Sequence, residues 1–412
     1  MCGTGFAGMA CARKLARSGM HVTLLDANLY STFQPLLYQV ATGGLNPGDV
    51  AYAAGGIAGR DRAIFRRGEL AGITGLAGTT APAGTDGARG RVTLSDGREL
   101  EYDYLVVATG ISASYFGIKG AAENTFGLYT RKDALLLRDR IMSGIERLTE
   151  HDGDFHVTVA GGGATGVELA GTLSELRKVV LRSTFPDVDP ARLKVRLVEM
   201  APALLTPFSE KLRDYALAQL RRRGVDVKLS TEIAEVTPDA VLLADGESLP
   251  SELTVWAAGV AAPDAAASWG LPQGKHGRIL VGADLRVQGQ DRIFAAGDIA
   301  LNPEDPMPQL AQPAIQMGKH VAKQIIRLSQ GAAAEPFSYF DKGTMATIGR
   351  RSAVVQLPKG LRIRGTLAWL AWLALHMFYL LGGRNRINTM INLSWRYLSW
   401  GHGGGVIVGD RE

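Results

Sequence analysis

Residues 156–199 read HVTVAGGGATGVELAGTLSELRKVVLRSTFPDVDPARLKVRLVE. A strand-like run passes through glycines directly into a helix-like run, and a second strand-like run follows. At such a turn the unpaired N–H groups of the loop and the positive end of the helix dipole point at one spot, which suits a pyrophosphate. The stretch therefore predicts a dinucleotide-binding unit, with a plain tight turn as the alternative.

The glycines of this loop have separate predicted roles. Gly161 allows the sharp turn, Gly163 lets a phosphate approach bare backbone, and Gly166 lets helix and strand pack tightly. The second strand ends on Glu199, whose carboxylate suits both hydroxyls of an adenosine ribose. Because no Arg or Lys occurs in the next three residues, we expect NADH to be preferred over NADPH. The loop lies farther from this acid than the usual ~20 residues, and we interpret residues 182–192 as a surface insertion.

Length and composition indicate a globular α/β protein. The 412 residues leave room for two or three domains and a buried core, while a net charge of +5 says little by itself. The only cysteines are Cys2 and Cys11, so there is no disulfide framework and no thiolate cluster, which fits a reducing compartment. The seven histidines have no metal-ligand spacing, and we predict no metal site. No secretory signal is visible.

The start of the chain repeats the dinucleotide pattern. Residues 2–8, CGTGFAG, carry the glycine spacing, a helix-like run follows, and a strand-like run ends on Asp26 at about the expected distance. The strand that should precede Gly3 is absent from the pattern, although such a strand is central in a doubly wound sheet. We expect that the start was assigned too late; the alternative is a fragment that binds its cofactor poorly.

Five motifs carry a resemblance to a known family. They are FQPLLYQVATG at residues 33–43, YLVVATG at 104–110, the second glycine loop and its helix at 161–171, RIFAAGD at 292–298, and AQPAIQ at 311–316. In this order they resemble type II NADH dehydrogenases, single-subunit flavoproteins that pass electrons from NADH to quinone. The ATG and GD signatures are shared by all flavoproteins with two dinucleotide domains, whereas the first and last motifs are narrower markers.

The resemblance implies an α/β fold with two Rossmann-like dinucleotide-binding domains and a C-terminal membrane-associating helical region. The FAD-binding domain is expected at residues 1–112 and 263–335, split by an NADH-binding domain at 113–262. Residues 336–412 would form the membrane-surface and dimerisation region.

The predicted contacts follow from the motifs and strand ends, and that of Leu70 from a strand-like run whose backbone would meet the adenine. The FAD contacts are Gly3, Gly5, Phe6, Ala7, Gly8, Asp26, Ala27, Leu70, Thr109, Gly110, Gly297, Asp298, Ala311 and Gln312. The NADH contacts are Gly161, Gly163, Thr165, Gly166, Glu168, Glu199, Ala258 and Gly259.

Several of these positions have structural alternatives. Asp298 would accept hydrogen bonds from the ribityl chain of FAD, or serve as a helix N-cap. The Thr109–Gly110 pair would lie beside the cofactor, or form a domain-crossing turn. Phe33 and Tyr38 would line the flavin, or fill the core.

The positions of the two cysteines limit how electrons can leave the flavin. Related disulfide reductases and sulfide:quinone oxidoreductases need a cysteine pair near the flavin, but both cysteines here belong to the first glycine loop and its helix. Electrons must therefore leave the flavin directly. Glu168, in the first turn of the second nucleotide helix, is linked by the resemblance to NADH binding and proton handling; helix-dipole stabilisation is the alternative. Gln312 and Gln316, four apart on one helix face, suit amides that touch the flavin edge and a quinone carbonyl, or are ordinary surface glutamines.

The C-terminal segment indicates where in the cell the protein is located. Residues 361–381 form an aromatic-rich apolar run bounded by arginines, with Trp369 and Trp372 in it, and a second apolar stripe follows. The uninterrupted run is shorter than the ~20 residues of a spanning helix, so residues 361–400 suit helices lying in the headgroup region. A dimer contact or a core helix is the alternative.

These observations predict a monotopic NADH:quinone oxidoreductase that uses FAD, does not pump protons, and lies on the cytoplasmic face of the cell membrane. Its partners would be NADH, a membrane quinone and, from the resemblance, a second copy in a homodimer, with no nucleic acid. The rivals are a soluble FAD-dependent NAD(P)H reductase for another acceptor, and a non-catalytic NADH-binding flavoprotein remnant.

Overall fold

The computed structural model describes residues 1–74 and 89–398, so the predicted membrane segment 361–400 extends slightly beyond the described chain. Within these residues the helices are α1 Phe6–Arg17, α2 Leu37–Ala41, α3 Ala54–Arg60, α4 Ala121–Asn124, α5 Arg131–Arg147, α6 Ala164–Thr184, α7 Glu210–Arg222, α8 Ala311–Ser329, α9 Thr366–Tyr379 and α10 Gly383–Leu398. The strands are β1 Thr23–Asp26, β2 Tyr30–Thr32, β3 Ala51–Ala53, β4 Ile64–Arg67, β5 Leu70–Thr74, β6 Gly90–Leu94, β7 Glu99–Tyr102, β8 Leu105–Val107, β9 Ser112–Ala113, β10 Thr125–Phe126, β11 Phe155–Ala160, β12 Leu193–Val198, β13 Asp226–Lys228, β14 Ile233–Val236, β15 Ala240–Leu243, β16 Ser248–Pro250, β17 Leu253–Trp256, β18 Val260–Ala261, β19 Ile279–Leu280, β20 Ile293–Ala295, β21 Ala300–Leu301, β22 Thr344–Gly349, β23 Ser352–Gln356 and β24 Arg362–Arg364.

The chain divides into two compact units, each built from three stretches of sequence. The first unit comprises Met1–Ser31, Tyr52–Ser112 and Val260–Asp341. The second comprises Thr32–Ala51, Ala113–Gly259 and Lys342–Glu412. The second unit thus combines the predicted NADH-binding segment with residues 32–51 and the C-terminal segment, a grouping that no sequence motif indicates.

The sheet of the first unit is built around the start of the chain. Strand β1 pairs in parallel with β4, and β20 pairs in parallel with β8. Cys2 forms parallel bridges to Leu25 of β1 and to Val107 of β8. Met1 and Cys2 therefore occupy the strand position between β1 and β8 from which the first glycine loop leaves the sheet.

The sheet of the second unit is parallel, in the order β10-β17-β11-β12-β13. Its central strand β11 is buried from Val157 to Ala160, as expected for a parallel strand covered on both faces. Helix α6 leaves the carboxyl end of this strand. The interpretation of residues 182–192 as a surface insertion is wrong in part, because α6 continues to Thr184 and Val188 is buried.

The C-terminal segment of the second unit forms an antiparallel sheet, β22-β23-β24, followed by α9 and α10. Helix α6 closely approaches β22, since a Cβ atom at Gly171 would lie 2.2 Å from the carbonyl oxygen of Ile348. Asn385 of α10 donates its side-chain amide to the backbone oxygens of Gly48 and Ala51, both at 3.1 Å. The C-terminal helices are therefore bonded to the segment that carries the motif of residues 33–43.

The two tryptophans of α9 are buried in the protein, unlike what the sequence predicts for a membrane-surface helix. Trp369 and Trp372 were expected in a membrane headgroup layer, but they are 9% and 2% exposed, and Trp369 belongs to an apolar cluster with Ala353 and Val355 of β23. The large side chains that α9 exposes are those of Leu367, Leu370, Leu375 and Phe378. None of the described helices combines the length and apolar character that crossing a membrane requires.

Candidate active site

The two glycine loops have the same backbone construction. Each begins on a glycine with positive φ, 106° at Gly3 and 110° at Gly161, a conformation that other residues rarely adopt. Each of these glycines donates its N–H to the adjacent strand, Gly3 to Leu25 O at 2.7 Å and Gly161 to Val198 O at 2.8 Å. Both loops therefore leave their sheets in the same way before entering α1 and α6.

The last glycine of each loop packs on the first. A Cβ atom at Gly8 would lie 2.0 Å from Gly3 O, and a Cβ atom at Gly166 would lie 1.9 Å from Gly161 O. Any side chain at Gly8 or Gly166 would force helix and strand apart, which is the packing role predicted for Gly166.

The middle glycine of each loop faces open space. Gly5 and Gly163 are the N-caps of α1 and α6, with φ of −71° in both cases. A Cβ atom on either would meet no protein atom within 4 Å. These positions leave room for a phosphate to approach the backbone at the positive end of a helix.

Each loop is also bonded to the acid at the end of the following strand. Asp26 Oδ2 accepts the N–H of Thr4 at 2.8 Å, and Glu199 Oε2 accepts the N–H of Gly162. The other carboxylate oxygen of each acid also accepts a backbone N–H. Asp26 Oδ1 accepts that of Asn28 at 2.8 Å, and Glu199 Oε1 accepts that of Ala201 at 2.6 Å. The structure thus contains two sites of one design, one in each unit, and each has a carboxylate beside its loop.

The GD motif lies beside the first loop. A Cβ atom at Gly297, whose φ is 79°, would lie 3.1 Å from the Cβ of Ala7. Burial raises the pKa of Asp298 to about 6, against the opposing effect of Arg278. The N-cap alternative for Asp298 is wrong, because the chain turns there into β21 and the next helix, α8, begins only at Ala311.

Arg278 holds this turn in place. Its Nε donates to Asp298 O at 2.8 Å and a terminal nitrogen donates to Ala300 O at 2.5 Å. Desolvation lowers the pKa of the buried guanidinium. Sequence reasoning missed Arg278, because no motif contains it and its partners are backbone atoms 20 or more residues away.

Two buried polar atoms in the first unit fit the predicted FAD contacts. Thr109 Oγ1 and Gln312 Oε1 are buried and have no hydrogen-bond partner among the described residues, although buried polar groups are normally bonded. Together with the open face of Gly5 and the carboxyl of Asp298, they fit a flavin dinucleotide.

The other predicted FAD contacts lie in the same unit. Phe6 and Ala7 begin α1, Ala27 is exposed after β1, Gly110 follows β8 with φ of 74°, and Ala311 begins α8. Leu70 is buried at the start of β5, and its carbonyl oxygen accepts the indole N–H of Trp269 at 3.0 Å.

The remaining residues predicted to contact NADH lie in the second unit. Thr165 is the second residue of α6. Ala258 and Gly259 follow β17, and Gly259 O accepts the N–H of Ser114 at 3.0 Å. The loop after β17 approaches the glycine loop, since a Cβ atom at Gly161 would lie 2.6 Å from Ala257 O.

Glu168 is buried, and its carboxyl is largely neutral near pH 7. Desolvation raises its pKa to about 8, against the opposing effects of the Thr347 N–H, which donates to Oε1 at 3.2 Å, and of the Trp372 indole. The indole N–H of Trp372 forms no hydrogen bond with any described residue. The placement of Glu168 in the first helical turn is wrong: α6 begins at Ala164, so Glu168 is its fifth residue. A neutral carboxyl beyond the first turn gains little from the helix dipole.

Aromatic side chains surround Trp372. Its ring stacks on His376 with 3.9 Å between centroids and lies 6.2 Å from the ring of Tyr38. Phe33 contacts His376 edge-on at 6.3 Å. Phe33 and Tyr38 are 3% and 2% exposed, so both pack in the core of the second unit. Burial lowers the pKa of His376 to about 4, and its Nδ1–H donates to Trp372 O at 2.7 Å.

The two predicted glutamines differ in their surroundings. Both lie on one face of α8, where the acceptor oxygen of Gln312 is buried without a described partner. The Gln316 side chain, in contrast, makes two hydrogen bonds of 3.0 Å to the backbone of Phe340.

The cysteines are placed for packing. Cys2 and Cys11 are free and buried. Burial raises the pKa of both thiols, that of Cys11 to about 12, and a protonated thiol is a poor nucleophile.

Comparison with known proteins agrees with this arrangement. A family model described as pyridine nucleotide-disulphide oxidoreductase matches residues 2–318, which identifies the class of flavin- and nicotinamide-dependent enzymes. The structure of NDH2 from Plasmodium falciparum in complex with NADH matches with a TM-score of 0.85 at 18% identity, over 96% of this chain and 97% of that one, and so has the same fold.

Two bacterial relatives are more similar in sequence. The type II NADH:quinone oxidoreductase Ndh of Mycobacterium tuberculosis is 35% identical over 96% of this chain and 87% of its own length. The type II NADH:quinone oxidoreductase of Staphylococcus aureus is 32% identical over 85% of this chain and 87% of its own. The chain therefore belongs to the pyridine nucleotide-disulphide oxidoreductase family and, within it, to the type II NADH:quinone oxidoreductases, which confirms the resemblance and the fold class expected from the motifs.

Proposed function

We propose that the two glycine loops bind FAD in the first unit and NADH in the second, and that the chain oxidises NADH and reduces a quinone. The reaction converts NADH, one proton and quinone into NAD⁺ and quinol. Bound FAD supplies the two-electron chemistry between donor and acceptor. The observation that carries the proposal is that the two loops are built alike. In each loop the middle glycine faces open space, and a carboxylate accepts a backbone N–H of the loop.

The residues of the first unit hold FAD. Gly5 leaves space for the pyrophosphate, Asp26 accepts from the adenosine ribose, and Asp298 accepts from the ribityl hydroxyls. The buried oxygens of Thr109 and Gln312 accept hydrogen bonds from the cofactor or from the hydroxyl groups of the quinol product.

The residues of the second unit bind NADH and handle a proton. Gly163 leaves space for the pyrophosphate, and Glu199 takes the ribose hydroxyls and disfavours a 2′-phosphate. Glu168 retains its proton up to about pH 8, so its carboxyl can donate a proton at neutral pH and recover it from water.

We also propose that the protein binds the cytoplasmic face of the cell membrane through residues 361–400, and that it forms a homodimer. Support for membrane binding comes from the exposed apolar side chains of α9 and from those of α10, Ile387, Met390, Ile391 and Trp395. The dimer rests on the family resemblance alone. Light scattering of the detergent-solubilised protein measures its mass, and a monomeric mass would reject the dimer.

Half-reactions test the proposed function directly. The purified chain is assayed for bound flavin, mixed anaerobically with NADH while flavin absorbance is followed, and then mixed with a soluble quinone. We expect bleaching by NADH and recovery with quinone. A flavin that NADH does not bleach, or that quinone does not reoxidise, would reject it.

A further inference from the structure

Residues 333–340, here called the strap, lie along one face of α8. Gln316, His320 and Gln324 are spaced four residues apart on that face, and each bonds to the strap backbone. Gln324 Oε1 accepts the N–H of Glu335 at 2.8 Å, and the His320 ring nitrogen Nε2 lies 3.1 Å from Glu335 O. Side chains of the helix thus satisfy backbone groups of a segment that is in neither helix nor strand.

Charged side chains of α8 bind the N-terminal end of the strap. Lys323 Nζ lies 2.6 Å from Glu335 Oε2, and a terminal nitrogen of Arg327 lies 3.1 Å from Glu335 Oε1. Arg327 Nε also donates to Ala333 O at 3.0 Å. These pairs are partly exposed, so they contribute modestly.

Gln316 binds the C-terminal end of the strap through its side-chain amide, which bonds as a backbone peptide group would. Its Nε2 donates to Phe340 O at 3.0 Å, and its Oε1 accepts the N–H of Phe340 at 3.0 Å. Both functional groups of this amide are therefore directed to one residue of the strap, in the manner of a pair of β-ladder bonds. A quinone carbonyl could bind only the second N–H of Nε2, because the first N–H donates to Phe340 O.

Gln312 is in the opposite situation. It lies one turn earlier on α8, and its buried Oε1 has no hydrogen-bond partner among the described residues. One glutamine of the motif thus bonds to the strap, and the other presents an unsatisfied amide oxygen.

We infer that Gln316 is a positioning residue that clamps Phe340 and the strap, and that Gln312 is the glutamine of the pair that contacts the flavin or the acceptor. The assignment of Gln312 rests on the proposed function. The clamp does not, because it is a property of the fold.

Hydrogen exchange of the flavin-loaded full chain tests the clamp. Replacing Gln316 with Met removes the acceptor of the Phe340 N–H, and we expect exchange at that amide to accelerate about tenfold or more. Gln312→Met, a matched substitution one turn away, leaves it unchanged. Gln316→Glu keeps an acceptor for the Phe340 N–H, so exchange at that amide should stay slower than in Gln316→Met. Unchanged exchange in Gln316→Met would overturn the clamp.

Steady-state kinetics separate positioning from direct contact. Phe340→Pro deletes the N–H that Gln316 accepts but keeps the glutamine, whereas Phe340→Ala keeps the N–H and removes a ring that is 71% exposed. We expect Gln316→Met and Phe340→Pro to change kcat equally, without further loss in the double variant and with quinone KM within twofold. Phe340→Ala should match the parent, and Gln312→Met should raise quinone KM tenfold or more. A raised quinone KM in Gln316→Met that Phe340→Pro does not share would overturn the inference. If the parent protein reduces no quinone but the exchange results hold, the proposed function fails and the clamp stands.

Discussion

The backbone N–H of Thr347 donates to Oε1 of Glu168 at 3.2 Å. This bond joins α6, which follows the glycine loop proposed to bind NADH, to the first strand of the C-terminal sheet. It reaches a carboxyl whose burial raises its pKa from 4.5 to about 8. Ionisation of Glu168 therefore affects both the proposed chemistry and the packing of the C-terminal segment.

We predict that Glu168→Gln removes a pH dependence from quinone-linked flavin reoxidation. In the parent the rate should fall as pH rises through about 8, because the carboxyl loses the proton it donates. The variant should be slower at neutral pH by about 10²-fold or more, the usual contribution of general acid catalysis, and flat through this range. Stopped-flow reoxidation over a pH series measures it, and a parent-like pH profile in the variant would contradict the role.

The same substitution should change the pH dependence of stability. Between pH 4.5 and about 8 the folded state keeps a proton that the unfolded state has lost, so the parent loses stability as pH rises through this interval. Glu168→Gln cannot ionise, and its Tm relative to the parent should increase over the interval and then level off. Calorimetry of the flavin-loaded proteins measures both curves.

Equivalent substitutions in the two loops should affect different cofactors. Gly5→Ala should lower bound flavin, and Gly163→Ala should raise NADH KM about tenfold with flavin content unchanged. In both cases the new methyl group enters open space that a pyrophosphate needs, and a φ of −71° suits alanine. Gly166→Ala is the structural control, because its Cβ would lie 1.9 Å from Gly161 O and should lower Tm. If Gly5→Ala and Gly163→Ala had the same effect, the assignment of one cofactor to each loop would be wrong.

Coenzyme choice should depend on Glu199. We predict that Glu199→Gln combined with Met200→Arg moves the kcat/KM ratio toward NADPH by tenfold or more, since a charge-assisted hydrogen bond contributes about 1.5–3 kcal/mol. Met200 is 70% exposed, so an arginine fits there without repacking. Assays with both coenzymes measure the ratio, and Met200→Gln serves as the uncharged control.

Membrane binding should depend on the exposed face of α9. Replacing Leu367, Leu370 and Phe378 with Glu should lower vesicle affinity at least a hundredfold, because burial of each such side chain contributes about 1.5–3 kcal/mol. The matched control places three glutamates at Leu29, Ile64 and Leu136, which are 58%, 51% and 47% exposed. Flotation with anionic vesicles measures the bound fraction. Equal loss in both triple variants would argue against α9 as the contact.

Local sequence predicted those parts of the site that depend on local backbone geometry. The positive φ of Gly3 and Gly161 and the acids Asp26 and Glu199 follow from the order of elements, because strand, turn, helix and second strand succeed one another in the chain. The burial of Trp372 could not be read this way, since an apolar helix face looks the same whether it meets lipid or protein.

Contacts between distant segments left no local signal. Gln316 bonds a backbone group 24 residues away, and Arg278 bonds two backbone oxygens. A backbone acceptor has no residue identity, so these pairings follow only from the folded path of the chain.

The interleaving of the two units has a consequence for synthesis. Residues 32–51 belong to the second unit although they lie between two stretches of the first, and the first unit is complete only at Asp341. A ribosome therefore cannot release a finished first unit early, and nascent chains will expose apolar surface until most of the protein has been made. For the same reason neither unit can be excised with a single cut or exchanged between enzymes as a cassette.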